Sequence, residues 1–337
     1  MFSGDASRSG VYDRSGPDSL SSLEWRFQAG DGISSTAAVW NGSVYFGSWD
    51  GAFHSLDAAT GNANWEYRTD GKISSSPAVT HGIVVFGSLD GLVYALDTET
   101  GEPVWKLRTD GEVVSSPLIA GEEVFVTGFD GYLRAIEMET GDELWRFRTE
   151  TELFSSPALF DGTLYFGGLD GKLYAVDVST AQETWSFQAE GSIFSTPAVS
   201  GGNVYFGTAA GTMHGLDAAT GEEVWLHQVE GGVIGSPAVR GETLFAGTQD
   251  GRFYCLETAG DGEVWSVELE GEIISSPALS GEVVYITSTE GALHAYDAGS
   301  GELLWSYVTE NSLSSSPVVH GGMVLFGGLD GSMFALM

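Results

Sequence analysis

The sequence predicts an all-β fold, an eight-bladed β-propeller made of four-stranded antiparallel blades. Three observations lead to this fold class: a repeat of 40 residues, four strand-like segments in each repeat, and chain ends that complement each other. A fixed period of about 20 to 50 residues is typical of stacked or circular repeat proteins, and propellers usually have roughly four to eight blades.

Tryptophans that recur every 40 residues define the repeat. A proline keeps the same register from Pro77 to Pro317, with Ala37 in its place in the first copy, and a glycine turn such as Asp50-Gly51 recurs in every copy. The tryptophans give eight copies, at Trp25, Trp65, Trp105, Trp145, Trp185, Trp225, Trp265 and Trp305.

Each repeat contains four segments with the composition of β-strands. In one copy they read SSPAVT, IVVFGS, LVYALD and VWKLRT, rich in β-branched and aromatic residues and separated by glycine-containing turns. No window has a sustained helical period. The Asp-Gly pair between the second and third strands predicts a two-residue hairpin loop in which both residues have positive φ.

The two ends of the repeat array predict how the ring closes. The sequence stops at 332–337, SMFALM, which is a third strand, and the ordered pattern begins at 23–28, LEWRFQ, which is a fourth strand. We therefore expect residues 23–28 to complete the last blade as its outer strand, so that no blade is left open. Residues 1–22 are polar and Gly/Ser-rich and are expected to form an extended arm over a single domain of residues 23–337.

The chain is strongly acidic, with 47 Asp and Glu against 13 Lys and Arg and a formal net charge of −34. Self-repulsion of this size destabilises a compact state unless salt screens it, which predicts a protein from a halophilic organism. Nucleic acid is not an expected partner, because phosphate binding needs a basic surface.

The single cysteine, Cys255, excludes intramolecular disulfides and a cysteine-based zinc site, and we expect it to be a small core residue. No segment has the length and hydropathy of a membrane span, and no secretory signal is recognisable. We therefore expect no membrane insertion and a cytoplasmic, monomeric ring, or an extracellular one if a leader precedes this sequence.

The segments ALDTETGEPVW, SLDAATGNANW, GLDAATGEEVW and AYDAGSGELLW resemble the tryptophan-docking motif of PQQ-like β-propeller repeat proteins. The opening FSGDASRSG also resembles the segment that precedes the first repeat in many of them. This family includes quinoprotein alcohol dehydrogenases and BamB-type scaffold lipoproteins of outer-membrane assembly, so the resemblance implies a fold rather than a function. A motif present eight times fits a structural role, with each tryptophan packed between blades and the carboxylate bound to nearby backbone donors.

The resemblance also implies where a cofactor would lie. Enzymes of the family hold the quinone in the central channel, stacked on a tryptophan and against a disulfide between adjacent cysteines, with calcium bound by Glu, Asn and Asp. This sequence has no cysteine pair and no long inserted loops, and its histidines lack metal-ligand spacing. We predict no catalytic residue, no metal site and neither PQQ nor calcium, with a quinone-dependent or other redox enzyme as the alternative.

Positions that differ among the eight copies are the candidates for function. Two variable columns lie at turns on the face where related propellers place their ligands, and they contain Trp49, Phe129, Phe154 and Phe194. We predict that these aromatic residues form a rim for a partner peptide or an apolar ligand. The alternative is that they pack against one another or under the arm.

Basic residues are concentrated between residues 68 and 172. This sector fits either local pairing with acidic neighbours or docking of an acidic partner. Lys72 belongs to it, and Arg134 stands where other copies carry Tyr, His or Phe, so its side chain is expected to reach the channel or a buried carboxylate. The sequence thus predicts a non-catalytic binding or scaffold module with a protein or peptide partner, and its candidate binding residues are Trp49, Lys72, Phe129, Arg134, Phe154 and Phe194.

Overall fold

The eight copies of the repeat form eight antiparallel sheets, the blades of a β-propeller, which confirms the predicted fold class. The structure is a computed structural model that describes residues 4–12, 16–260 and 262–337. Short apolar segments form the strands and glycine-containing turns end them, and the described residues contain no helix.

The strands are numbered in chain order, and blades 1 to 7 each contain four consecutive strands from the channel outward. The arm contains β1 (Val11–Tyr12), and the closing strand is β2 (Leu23–Gln28). Blades 1 and 2 contain β3 (Ala38–Trp40), β4 (Ser43–Gly47), β5 (Ala52–Asp57), β6 (Ala63–Arg68), β7 (Ala78–Thr80), β8 (Ile83–Gly87), β9 (Leu92–Asp97) and β10 (Pro103–Arg108). Blades 3 and 4 contain β11 (Leu118–Ala120), β12 (Glu123–Thr127), β13 (Tyr132–Glu137), β14 (Glu143–Arg148), β15 (Ala158–Phe160), β16 (Thr163–Gly167), β17 (Lys172–Asp177) and β18 (Gln182–Gln188).

The second half of the ring repeats this arrangement. Blades 5 and 6 contain β19 (Ala198–Ser200), β20 (Asn203–Gly207), β21 (Thr212–Asp217), β22 (Glu223–Gln228), β23 (Ala238–Arg240), β24 (Thr243–Gly247), β25 (Arg252–Glu257) and β26 (Glu263–Glu268). Blade 7 contains β27 (Ala278–Ser280), β28 (Val283–Thr287), β29 (Ala292–Asp297) and β30 (Leu303–Val308). Blade 8 contains β31 (Val318–His320), β32 (Met323–Gly327) and β33 (Ser332–Leu336), together with β2.

The ring closes as predicted. Strand β2 pairs with β33 in antiparallel register, from Leu23 opposite Leu336 to Gln28 opposite Ser332. Blade 8 therefore has four strands, of which the outer one comes from the beginning of the repeat array and the other three from its end. The pairing covers the outward edge of β33 that would otherwise expose unpaired backbone groups.

The hairpin between the second and third strands differs from the sequence prediction. Only its glycine has positive φ, 81° at Gly51, and Asp50 does not, so a two-residue loop with two positive φ angles was the wrong expectation. The Ser48 N–H donates to the Ala52 carbonyl at 2.9 Å, which leaves residues 49–51 as a three-residue loop ending in a left-handed glycine. The extra residue of this loop is Trp49, whose side chain therefore lies at the turn.

The repeat tryptophans connect neighbouring blades. Seven of the eight indole N–H groups donate to a backbone carbonyl beyond their own blade, as Trp105 does to Met138 at 2.9 Å. The turn glycine of the next blade lies against the indole, as Gly141 does against Trp105, with no room for a Cβ atom. The indole N–H of Trp145 donates to no residue that the structure describes. The turn residue beside this indole is Ala181, which stands where most copies have glycine and has φ of 55°.

The N-terminal arm contacts the channel-side strands of four blades. The carbonyls of Ala6, Ser7, Ser9 and Gly10 accept hydrogen bonds of 2.7–2.9 Å from the first strands of blades 4, 5, 6 and 7 in turn. Strand β1 then pairs in parallel with β27 and gives blade 7 a fifth strand. These bonds hold the arm at the channel end opposite the loops that follow the second strand of each blade.

Candidate functional site

A ring of hydroxyl groups surrounds the central channel. Each blade contributes one Ser or Thr just before its first strand, and in seven steps the backbone N–H of one of these residues donates to the hydroxyl of the next blade, at 2.8–3.3 Å. These bonds connect the blades at the axis, and each hydroxyl that accepts one still has a proton to donate. We call this set the hydroxyl belt: Thr36, Ser76, Ser116, Ser156, Thr196, Ser236, Ser276 and Ser316.

A second ring of side chains lies two residues before the belt and forms the mouth of the channel. It is divided into two sectors, because three consecutive blades contribute serine and the other five contribute apolar residues. The serine sector is Ser314, Ser34 and Ser74, and the apolar sector is Val114, Phe154, Phe194, Ile234 and Ile274. Both rings, together with Trp49, Leu329 and Gly235, line a cavity of about 380 Å³.

Trp49 is fixed against the serine sector. Its indole N–H donates to Ser34 Oγ at 2.8 Å and to Ser74 Oγ at 3.2 Å, and the Lys72 ammonium lies 4.8 Å from the centre of its ring. The contact with Lys72 is a cation–π interaction. The structure therefore brings two of the predicted site residues, Trp49 and Lys72, together at one side of the mouth.

The three predicted phenylalanines form a second group on the other side of the mouth. The ring centres of Phe129 and Phe154 are 6.1 Å apart, and those of Phe154 and Phe194 are 5.5 Å apart at an interplanar angle of 74°. Phe154 and Phe194 line the cavity, whereas Phe129 supports Phe154 from the neighbouring loop. Phe154 remains 39% exposed although it makes both contacts, so this group presents apolar surface to the mouth.

Arg134 is the one predicted site residue that lies elsewhere. Its side chain is buried on β13, where it forms a bidentate pair with Asp130 and donates from Nε to Glu143 at 3.1 Å. Burial acts to raise the pKa of Asp130, but the hydrogen bonds and charge of Arg134, together with bonds from the backbone N–H groups of Asp110 and Tyr132, hold that pKa below its usual value. Arg134 thus satisfies a carboxylate inside the blade and does not line the cavity.

Arg8 of the arm is buried at the opposite end of the channel. Its side chain is fully buried and donates to the carbonyls of Pro157 at 3.2 Å, Ser116 at 3.1 Å and Pro117 at 2.9 Å. Burial lowers the pKa of Arg8 to about 9, against the opposing effect of Asp5. Because Ser116 belongs to the hydroxyl belt, Arg8 lies next to the belt on the side of the arm. We call the cavity on the mouth side of the belt the cup.

The lining of the cup is uncharged. Every described residue that lines it carries a hydroxyl, an apolar side chain or no side chain, and Trp49 supplies the one indole. A tricarboxylate quinone needs cationic or amide donors for its carboxylates, and calcium needs several carboxylate or carbonyl oxygens converging on it. The residues of this cup therefore do not fit PQQ with calcium, and the described part of the chain has no group of three His, Cys, Asp or Glu arranged to hold a metal.

The remaining candidate side chains are packed inside blades. Cys255 is fully buried, and burial raises its thiol pKa to about 12. His54, His214 and His294 lie in the strand column where other blades have tyrosine, and burial lowers the pKa of each. None of these four residues lines the cup.

Sequence reasoning missed two features of the site. Arg8 was not singled out, although an arginine within a Gly/Ser-rich arm is a charge that needs a partner once the arm packs. The hydroxyl belt was not singled out either, because a residue type present in every copy does not stand out. The division of the mouth into serine and apolar sectors was visible in the sequence as a variable column.

The chain belongs to the PQQ-like β-propeller family. A family model described as the beta-propeller of beta-alanine-activating enzyme matches residues 18–203, more than half of the chain, and one described as outer membrane protein assembly factor BamB matches residues 211–337. A search of curated proteins found no match. The described residues include no helix with the length and apolar character needed to cross a membrane.

Three solved structures illustrate the structural similarity. BamB from Moraxella catarrhalis has a TM-score of 0.81 at 18% identity, covering 94% of this chain and 99% of that one. The computationally designed Ika8 protein has a TM-score of 0.82 at 22% identity with the same coverage. A europium-containing methanol dehydrogenase has a TM-score of 0.82 at 13% identity, covering 98% of this chain and 90% of that one. At these identities the similarity establishes the fold alone.

Proposed function

We propose that this protein is a non-catalytic binding or scaffold propeller that engages a protein partner through the channel-mouth face. The observation that most directly supports this proposal is that residues differing from the eightfold repeat lie together at this mouth. Trp49 with Lys72 and Phe129 with Phe154 and Phe194 come together there. A function that needs one site on an eightfold ring requires such a departure from symmetry.

The basic sector supports an acidic partner. Of the thirteen Lys and Arg in the chain, five on blades 1 to 4 or their connecting loops form no ion pair with any described residue, although the chain carries 47 acidic residues. Charged groups without an ion pair at a surface steer association more than they stabilise a fold. These five residues are Lys72, Lys106, Arg108, Arg148 and Lys172.

The experiment compares partner capture by the wild-type chain and by Trp49→Ala and Phe129→Ala variants, in about 1 M KCl, where the Debye length falls to roughly 3 Å. We expect each variant to lose the proteins that the wild type retains from the source cells. The matched control is Trp40→Ala, because Trp40 is a 40% exposed tryptophan at the end of β3, on the opposite face. Thermal melting of each variant verifies that it is folded.

Two results would contradict the proposal. One is an unchanged set of captured proteins for folded Trp49→Ala and Phe129→Ala variants. The other is an equal loss for Trp40→Ala, which would place the interaction on the wrong face or show that capture is nonspecific.

The alternative function is a quinone-dependent or other redox enzyme. Similar folds that include a methanol dehydrogenase favour it, whereas the uncharged lining of the cup argues against it. Titration with PQQ and Ca²⁺ separates the two functions. We expect neither a bound chromophore after dialysis nor a raised melting temperature, and saturable binding would favour the enzyme.

A further inference from the structure

The cup below the mouth has an apolar wall, a more polar wall and a hydroxyl-lined floor. Binding a protein partner at the mouth does not require this arrangement. One wall consists of Val114, Phe154, Phe194, Ile234 and Ile274, and the opposite wall consists of serines, the indole of Trp49 and the side chain of Leu329. Its floor is the hydroxyl belt. Its volume of about 380 Å³ lies within the range of roughly 300–1,000 Å³ that is usual for small-molecule sites.

One hydroxyl of the serine wall has no partner. Ser34 and Ser74 both accept the indole N–H of Trp49, whereas Ser314 Oγ is buried and has no hydrogen-bond partner among the described residues. A buried polar atom without a partner is unfavourable, and a ligand with a polar atom at that wall relieves it. The Trp49 indole does not also donate to Ser314, because it has a single N–H and that N–H is already directed at Ser34 and Ser74.

From these observations we propose that the cup binds an uncharged small molecule with an apolar ring system and a hydroxyl or carbonyl at one edge. The ring system packs against Phe154 and Phe194, and its polar edge bonds to Ser314 and the hydroxyl belt. This inference rests on the proposed function in using the same mouth, and it adds the class of ligand.

The absence of charge in the lining makes the site selective. Moving an ion from water into this cup removes its hydration and offers no opposite charge in contact with it. Arg8 lies beneath the belt, but its guanidinium donates to the carbonyls of Ser116, Pro117 and Pro157, away from the mouth. Neutral ligands are therefore favoured over both anions and cations of the same shape.

The test uses three probes that share one ring system and differ in charge: 2-naphthol, 2-naphthoate and 2-naphthylmethylammonium. Each is titrated into the full chain by equilibrium dialysis at neutral pH in about 1 M KCl, which screens the net charge of the protein. We expect one molecule of 2-naphthol per chain, bound at least tenfold more tightly than either ion. Equal binding of a charged probe, or no saturable binding of 2-naphthol, would overturn the proposal.

Variants locate the bound probe. Phe194→Ala is expected to weaken 2-naphthol binding at least fivefold, whereas Leu226→Ala, on the exposed outer strand β22, leaves it unchanged. Ser314→Ala is expected to reduce the preference for 2-naphthol over naphthalene, and Ser306→Ala, exposed on β30, is its control. If Phe194→Ala and Ser314→Ala leave binding and preference intact, the probe does not lie in the cup and the proposal fails.

The ligand and the partner can fail separately. Partner capture that depends on Trp49 and Phe129, combined with no 2-naphthol binding, would keep the proposed function and overturn the ligand site. Binding of 2-naphthol with no partner capture would do the opposite.

Discussion

At the scale of single residues, comparison of the eight copies shows which side chain best satisfies each position of the repeat. The motif carboxylate accepts bonds from its own turn, as Asp57 Oδ1 does from the Thr60 N–H at 2.9 Å and hydroxyl at 2.7 Å. The Thr60 hydroxyl and backbone N–H lower the pKa of Asp57 accordingly. At two positions one copy has a different residue from most of the others, and this residue is in an unfavourable local environment. Each of these positions leads to a prediction.

The first concerns Ala181, which has φ of 55° at a turn position where most copies have glycine. A non-glycine residue in the left-handed region costs about 1 kcal/mol, and its Cβ occupies the space where other blades place an indole. We expect Ala181→Gly to raise the free energy of unfolding by about 1 kcal/mol, measured by urea denaturation. In the control, Gly141→Ala, the opposite change at the equivalent turn, should destabilise. A destabilised Ala181→Gly variant would show that the turn is not strained.

The second concerns His54, whose Nε2 is buried without a partner among the described residues. In blade 2 the equivalent Tyr94 hydroxyl donates to Asp90 at 2.7 Å. His54→Tyr should therefore gain a hydrogen bond to Asp50 and about 1 kcal/mol of stability at neutral pH.

The pH dependence of this variant has a definite sign. Burial lowers the pKa of His54 below 6.5, against Glu66 and Asp50, so the unfolded chain takes up the proton first. The wild-type protein keeps the stability from neutral His54 above about pH 6.5 and loses it as the pH falls further. The advantage of His54→Tyr should be larger near pH 5.5 than near pH 7.5, as measured by thermal melting. An equal advantage at both values would mean that His54 does not titrate in this range.

At the scale of elements, β2 has a role that no other outer strand has. Every other blade takes its outer strand from the same repeat as its inner strands, whereas β2 joins the two ends of the chain through its pairing with β33. Trp25 on β2 also donates to the Ala58 carbonyl of blade 1 at 2.9 Å. The strand therefore stabilises blade 8 and its contact with blade 1.

Two deletions distinguish the contribution of β2 to stability from that of the arm. Removing residues 1–28 should lower the melting temperature strongly, because β33 loses its pair and blade 1 loses Trp25. Removing residues 1–22 leaves β2 in place, and we expect a smaller loss, from Arg8 and the arm contacts alone. Calorimetry of both variants gives the comparison, and equal melting temperatures would contradict the closure role of β2.

At the scale of the whole molecule, the net charge of −34 governs stability through salt. We expect the melting temperature to rise by several degrees between about 0.1 M and about 2 M KCl, because screening reduces self-repulsion among the acidic residues. This rise is the property expected of a protein from a halophile.

A variant with fewer charges is the control for this effect. Replacing the exposed turn residues Glu99, Glu139 and Glu222 with glutamine should raise the melting temperature in low salt and reduce the salt-dependent rise. A salt response that is unchanged in this variant would assign the rise to general salt effects on burial rather than to charge.

The sequence by itself determined the eight blades, their strand order and the closure by residues 23–28. Each of these follows from local signals that recur 40 residues apart: a buried strand pattern, a left-handed glycine and an outer-strand tryptophan. Repetition makes such signals reliable, because one misread segment is corrected by seven others.

Only the tertiary structure decided which departures from the repeat meet one another. It placed Trp49 and Lys72 on one side of the mouth and the three phenylalanines on the other, and it assigned Arg134 to a buried carboxylate pair. It also placed Arg8 under the hydroxyl belt, across a sequence separation of more than 100 residues. Contacts at the axis of a ring join residues from many blades, and no local pattern encodes them because they depend on how the ring closes.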